Sequence, residues 1–223
     1  MHPRHLLMPL SLLAGLAAAD LHAAALPELG TAEFAVMRKG ERIGTHQLVF
    51  SRGAEGIDLS INTDIVVKIA FVPVYRFEHK GVETWSDKGL VALKSKTNDD
   101  GTKHELAIRR DGDKLVIQGD GKLAEAAPNL FTGSLWSGEV PHQQLLLNTL
   151  DGSRMSVQIV DKGEETIEAA GRPTPVRHYV IDGDLKRNVW YDAAGHLVQM
   201  TLNGKDGSEV LYHLVRCDYC TAK

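Results

Sequence analysis

The feature that most constrains the fold is a strict alternation of side chains from Ile57 to Phe71. Seven of the eight odd positions in this segment are apolar, and Thr63 occupies the eighth. A period of two predicts a β-strand with one face toward a core or cavity and the other toward water. At 3.3 Å per residue the segment would span about 50 Å, whereas ordinary strands have about five or six residues. Such a strand has to coil, bulge or wrap around something.

The same period continues through most of the chain after residue 30, interrupted by short clusters rich in Gly and Asp. These residues tolerate the positive φ of hairpin turns, and short turns join antiparallel neighbours. The clusters include Lys39-Gly40, Asp87-Lys88-Gly89, Asp111-Gly112-Asp113, Asp161-Lys162-Gly163, Asp182-Gly183-Asp184 and Lys205-Asp206-Gly207. The sequence therefore predicts a mainly β fold of about ten to twelve strands in one strongly curved antiparallel sheet.

One stretch, from Leu123 to Leu150, breaks the alternation and is predicted to be a crossover between two meanders. It contains Pro128 and Pro141, and Pro141 suits the first position of a short helix that would run to about Leu147. We expect this crossover to lie over the concave face of an open half-barrel. A closed up-and-down barrel is the nearest alternative.

Composition places the chain among folded proteins and argues against nucleic acid as a partner. The 223 residues include 25 Lys and Arg against 29 Asp and Glu, a formal charge of −4, and the pI is near 6.2. A nucleic-acid binder normally carries a basic face or a high pI. No low-complexity linker divides the chain, so we expect a single β domain over residues 26–223.

Residues 1–25 have the pattern of a cleaved secretory signal peptide. Arg4 supplies the positive region, Leu6 to Ala19 the apolar region, and Ala23-Ala24-Ala25 a small-residue cleavage site. A cut after Ala19 is an alternative, and so is a membrane anchor, although a spanning helix needs about 20 apolar residues. No later segment is long and apolar enough to span a bilayer. The sequence therefore predicts a periplasmic or secreted protein.

Two groups of motifs carry a family resemblance. The C-terminal group includes Gly183-Asp184-Leu185 and Val189-Trp190-Tyr191-Asp192, and the N-terminal group pairs Gly40–Gly44 with Val74–His79. Together they resemble an uncharacterised family of exported bacterial proteins of about this length. The layout is more distantly similar to the periplasmic lipoprotein-carrier superfamily (LolA- and LolB-like half-barrels). That likeness implies an open β half-barrel and an apolar ligand, and it brings no catalytic residues.

No sequence motif points to catalysis, a metal or a cofactor. The histidines show neither H-x-H nor H-E-x-x-H spacing, although cross-strand neighbours such as His46 can still converge. Glu78 and His79 point to opposite faces, and Arg76 shares a face with Glu78, which indicates a local ion pair. The segment around Ser134 lacks the G-x-S-x-G spacing of a nucleophile elbow. We therefore predict no catalytic residues, no metal site and no cofactor.

The two cysteines, Cys217 and Cys220, favour a structural disulfide, as an even count does in an exported protein. In a straight strand their Cα atoms would lie about 10 Å apart, beyond the roughly 7 Å limit for a bridge. The chain must therefore turn after Cys217. A redox-active or metal-binding C-x-x-C pair is the alternative.

The apolar face of the long strand suggests a ligand-binding surface, because large exposed apolar patches are rare in soluble monomers. We expect Ile61, Ile65, Val67 and Ile69 to line it, with Trp136 as a lid. The alternative for Trp136 is an anchor that packs the crossover onto the core. The leading hypothesis is a non-enzymatic binding module for a lipid or other apolar molecule. A structural or interaction protein of the cell envelope and an enzyme with a dispersed site are the alternatives, and the oligomeric state stays open.

Overall fold

A computed structural model describes residues 28–220, and β-strands make up most of them. The predicted signal peptide, residues 1–25, lies outside the described residues. The first strands are β1 (Gly30–Arg38), β2 (Glu41–Arg52), β3 (Ile57–Ile69), β4 (Val72–Ser86), β5 (Gly89–Asp99), β6 (Thr102–Asp111), β7 (Lys114–Gly119) and β8 (Lys122–Ala126). The later strands are β9 (Phe131–Thr132), β10 (Leu145–Leu147), β11 (Arg154–Ala169), β12 (Arg172–Gly183), β13 (Arg187–Tyr191), β14 (Leu197–Asn203) and β15 (Glu209–Cys217).

These strands form one open, curled sheet in the order β8-β7-β6-β5-β4-β3-β2-β1-β15-β14-β13-β12-β11-β10-β9. Every neighbouring pair is antiparallel except β9 and β10. The prediction of a mainly β, curved and open sheet is confirmed. The predicted count of ten to twelve strands is wrong, because the sheet has 15. The extra strands β8 to β10 lie within the stretch assigned to the crossover.

The predicted helical crossover is also wrong. Residues 127–153, which we call the crossover from here on, contain a single 3₁₀ turn at Val140–His142 with Pro141 near its start. The leucines expected to continue a helix instead form β10, which pairs with both β9 and β11. Pairing with the exposed edge of β11 satisfies backbone groups that a short isolated helix would leave to water.

The predicted turn at Asp161-Lys162-Gly163 is a bulge inside β11. The partner strand β12 pairs on both sides of it, and the register shifts between Asp161 and Gly163. The Asp161 side chain accepts a hydrogen bond from the Gly163 backbone N–H at 2.8 Å. An Asp-x-Gly sequence that forms this local bond is typical of a turn. Here the extra residue forms a bulge, and the strand continues through it.

The crossover fills much of the concave side of the sheet. Its buried side chains include Leu135, Trp136, Val140, Leu146 and Leu147. They pack on the inward residues of the sheet. Phe131 and Trp136 of the crossover form an aromatic cluster with Phe50, Trp85 and Tyr219. What remains open on the concave side is a space near one rim.

We call this rim the turn rim, because the turns after β1, β5, β7, β12 and β14 lie on it and the β3–β4 hairpin projects from it, as the antiparallel order requires.

No helix in the described part of the chain is long and apolar enough to cross a membrane.

Candidate functional site

A cavity of about 330 Å³ lies between the two arms of the curled sheet. One wall comes from β2 to β4, the opposite wall from β13 to β15, and the crossover forms the floor. The cavity extends to the turn rim, because the exposed turn residues Asp184 and Lys186 belong to its lining. The lining is His46, Ile61, Thr63, Phe77, His79, Gly133, Ser134, Asn148, Thr149, Leu150, Met155, Asp184, Leu185, Lys186, Arg187, Met200, Leu202 and Tyr212. It combines apolar side chains with neutral polar groups and few charges.

A row of alternating histidine and threonine crosses the first wall. His46 on β2 lies opposite Thr63 on β3, which lies opposite His79 on β4, which lies opposite Thr97 on β5. Directly opposed residues of antiparallel strands share a face, so all four point inward, and all four are buried. The Nδ1 atom of each imidazole is 2.7 Å from the hydroxyl of a neighbouring threonine. The hydrogen bonds fix both rings in place.

Burial keeps both imidazoles neutral at pH 7. It lowers the pKa of His46 to about 3, with a smaller contribution from the nearby His79. Burial also lowers the pKa of His79 to about 4. A neutral imidazole has one donor and one acceptor nitrogen. Because Nδ1 of each ring is bonded to a threonine, Nε2 is the nitrogen that can hydrogen-bond to a polar atom of a ligand, and it does so without attracting a charge.

A bulge in the β3–β4 hairpin decides which residue of β4 enters this wall. The register shifts between Val67 and Lys68, and beyond the shift Thr63 lies opposite His79. Without the extra residue Thr63 would face Glu78, because a shift of one residue exchanges the two faces of a strand. Glu78 instead points outward and pairs with Arg76 at 2.9 Å, which confirms the predicted local ion pair.

The opposite wall carries a half-buried cation. Arg187 begins β13 and lines the cavity near the turn rim, and its Nη1 donates to the Lys186 carbonyl at 2.7 Å. Within residues 28–220 it forms no ion pair, whereas the neighbouring Lys186 pairs with Asp182. Burial lowers the pKa of Arg187, but an arginine side chain stays charged. A charge withdrawn from water normally has a partner of opposite sign.

A buried acid lies below the floor of the cavity. Glu83 is fully buried, and its Oε2 accepts hydrogen bonds from the Trp85 indole at 2.8 Å and from the Thr132 hydroxyl at 3.1 Å. Burial raises its pKa, and these hydrogen bonds partly oppose the rise. The Thr132 hydroxyl also lies 2.6 Å from that of Ser134, a cavity-lining residue. Glu83 thus connects to the cavity floor through two hydroxyls.

The residues predicted to bind a ligand lie at different depths. Ile61 lines the cavity, and Ile65 is buried beside it on the same face of β3. Val67 is half-buried, and Ile69 is 64% exposed beyond the turn rim. Trp136 is buried in the aromatic cluster, and its ring centroid lies 5.4 Å from that of Trp85. Their role in binding stays a prediction.

The cysteines are joined, with Cα atoms 5.3 Å apart, and the chain turns after β15 as required. Cys220 also lies close to Asp192 and His196, and among the described residues these three form a group with metal-ligand atoms within 4.8 Å. A disulfide sulfur is a poor metal ligand, because metals bind the thiolate. The Asp192 carboxylate and the His196 imidazole already bond to each other at 3.0 Å.

Comparison with known proteins assigns a family. A model described as a domain of unknown function, DUF6134, matches residues 34–215 and so spans the sheet and the whole cavity. The chain belongs to the DUF6134 family. No curated protein matches the sequence. The expectation of an uncharacterised family is confirmed for this DUF6134 protein, and the likeness to the lipoprotein carriers stays a prediction.

Sequence reasoning missed most of the polar part of the DUF6134 cavity. The alternation predicts strands at both His46 and His79, but their alignment with Thr63 and Thr97 depends on register shifts in β3–β4 and β4–β5. Nothing in the sequence indicates that Arg187 faces inward, because lone arginines are common on strands. An inward position for Arg187 follows only from its pairing opposite the buried Ile181.

Proposed function

We propose that this DUF6134 protein is an exported binding protein that holds a small amphipathic molecule in the cavity. The N-terminal signal pattern supports export, and the formal charge of −4 argues against a nucleic-acid partner. Ligand pockets usually measure roughly 300–1,000 Å³, and this cavity lies at the lower end of that range. It suits a small molecule, or the end of a longer chain whose remainder leaves through the turn rim.

The observation that carries the proposal is Arg187, a half-buried guanidinium without a carboxylate partner among the described residues. It lies beside a cavity whose lining is mostly neutral. An anionic group of the ligand would supply the missing charge, since guanidinium binds carboxylate and phosphate in a bidentate manner. Ile61, Phe77 and Met200 would contact the apolar part. His46 and His79 would hydrogen-bond to any hydroxyl or amide that it carries.

The sequence-predicted residues fit this arrangement in part. Ile61 remains a direct ligand contact, and Ile65, Val67 and Ile69 extend the same face of β3 toward and beyond the turn rim. Trp136 supports the crossover that forms the cavity floor. The ligand is therefore an anionic amphiphile rather than a purely apolar molecule.

The test is native mass spectrometry of protein recovered from the exported fraction, followed by identification of the extracted small molecules. We expect a bound anionic amphiphile that is lost in Arg187→Gln and retained in the matched variant Lys186→Gln. Lys186 is the exposed neighbour and already has an acidic partner. Empty wild-type protein, or equal occupancy in both variants, would refute the proposal. An empty dimer would favour an interaction protein instead.

A further inference from the structure

The β3–β4 hairpin projects beyond the rest of the sheet. β2 pairs with β3 only as far as Ile65, and β5 pairs with β4 only from Phe77 onward. Within the described chain, residues 66–75 therefore have β-partners only in each other. We call this two-stranded end the hairpin tip. It protrudes from the turn rim, the same rim at which the cavity ends.

The hairpin tip is apolar where it is most exposed. Phe71 is 96% exposed, Ile69 64% and Val72 62%, and Val74 is also exposed. The turn itself is Ala70-Phe71, with φ of 48° and 69°. Such turns favour Asn-Gly, because both central residues take positive φ. The fold thus presents a large aromatic side chain to solvent at a position that its backbone disfavours.

The two faces of the hairpin tip differ in character. Val67 and Ile69 lie on the face that continues the cavity wall, because they alternate in phase with Ile65 on β3, and Val72 shares this face because it lies opposite Ile69. Lys68 and Arg76 lie on the opposite face, and both are exposed. Arg76 is already paired with Glu78, so Lys68 is the cation that lies behind the apolar end. An apolar end with a cation close behind it matches a bilayer interface, where acyl chains meet phosphate groups.

We propose that the hairpin tip docks the protein on a phospholipid bilayer, with Phe71 among the acyl chains and Lys68 near the phosphates. A second copy of the chain is the poorer occupant. The exposed tip side chains offer on the order of 100 Å² each, and about 200 Å² for Phe71. That falls short of the roughly 800 Å² per partner that a stable complex buries.

Docking would also bring the cavity to the membrane surface. The apolar face of the hairpin tip runs without interruption into the cavity wall through Ile65 and Phe77. The docking depends on the hairpin tip alone and goes beyond the proposed function. The docking proposal can therefore be tested independently of ligand binding in the cavity.

The experiment is flotation with vesicles of phosphatidylethanolamine and phosphatidylglycerol, using protein recovered from the exported fraction. The test variant combines Ala70→Asn with Phe71→Gly, residues that the turn geometry favours, so it should keep or raise the melting temperature. We expect it to lose at least tenfold in vesicle binding, because Phe71 is the largest and most exposed apolar side chain of the hairpin tip. Lys68→Gln should weaken binding a few-fold, and only when phosphatidylglycerol is present.

The control is Leu123→Ser. Leu123 is 78% exposed on β8, away from the hairpin tip, and its replacement should leave vesicle binding unchanged. Wild-type protein that does not float, or an Asn-Gly variant that floats like wild type, would overturn the proposal. So would a dimer in sedimentation that the Asn-Gly variant dissociates, since the hairpin tip would then pack on a second copy.

Discussion

Glu83 shows how a single residue can link the core to the cavity. It is fully buried on β4, and it accepts hydrogen bonds from an indole and from a threonine hydroxyl. Its Oε1 has no hydrogen-bond partner among the described residues, nor does the indole nitrogen of Trp136. A buried ionised carboxylate is costly, so these surroundings favour the protonated acid.

Replacing Glu83 tests that protonation state. The pKa of Glu83 is raised in the folded state, so its contribution to stability is fully present below the pKa of the unfolded chain and is lost as pH rises toward the folded pKa. Glu83→Gln mimics the neutral acid and should gain stability relative to wild type as pH increases from 4.5 to 8. Glu83→Ala should lose about 2–4 kcal/mol at pH 4.5, because it leaves a cavity and an unpaired indole, and this loss should shrink as pH rises, because Ala also lacks the titrating group. Urea unfolding across this pH range distinguishes the two. A Gln variant with a pH-independent difference would contradict the assignment.

The buried histidines give a pH dependence of opposite sign. Their folded-state pKa values, about 3 for His46 and about 4 for His79, are lower than the value near 6.5 in an unfolded chain. The contribution of the two histidines to the free energy of unfolding is therefore fully present above pH 6.5 and is lost as pH falls toward 4.

We expect His79→Gln to remove part of this acid sensitivity. Between pH 7 and pH 5 the wild-type protein should lose about 2 kcal/mol more unfolding free energy than the variant. The exposed His142 supplies the control, and His142→Gln should follow wild type. Denaturant unfolding at each pH makes the measurement, and parallel curves for wild type and His79→Gln would contradict the account.

At the scale of single elements, the crossover is positioned by close backbone contacts. A Cβ atom at Gly119 on β7 would collide with the backbone carbonyl of Asp151, so only glycine allows this approach. At the other end of the crossover, the Tyr191 hydroxyl on β13 donates a hydrogen bond to the Leu135 carbonyl at 2.9 Å. The cavity floor depends on both contacts.

Gly119→Ala should therefore displace the crossover. We expect a loss of at least about 2 kcal/mol in unfolding free energy, because neither backbone can yield easily. Gly121→Ala is the matched control two residues away, where an added Cβ meets nothing within 4 Å. Its positive φ of 78° should cost only about 1 kcal/mol. Equal melting temperatures for the two variants would show that the crossover is not seated at Gly119.

The elements also show which parts of the structure a sequence can predict. Alternation located β3 correctly, since burial alternates along it from Ile57 to Ile65. It failed at Asp161–Gly163, where a sequence typical of a turn forms a bulge. It also failed at the leucines of β10, where the predicted helix is a strand. The residues that line the cavity wall could not be predicted, because one extra residue near Val67 decides whether His79 or Glu78 faces inward. Bulges leave no reliable mark in a single sequence.

At the scale of the whole molecule, the open sheet leaves one cavity wall with neutral polar groups and the other with Arg187. The crossover closes the cavity from inside, and the hairpin tip extends one wall beyond the turn rim. In the proposed function, this arrangement would hold a ligand by its apolar part and by one charge near the mouth. The account therefore depends on recognition of an anionic group by Arg187.

The most direct test is a calorimetric titration of decanoate and decanol into wild-type protein and Arg187→Gln. The two ligands share a ten-carbon chain and differ in the charged group. A charge-assisted hydrogen bond of about 1.5–3 kcal/mol predicts that wild type binds decanoate about 10- to 100-fold more tightly than decanol. The account predicts that Arg187→Gln loses this preference while its affinity for decanol stays the same. Equal affinities of wild type for both ligands, or a preference that survives in Arg187→Gln, would contradict it.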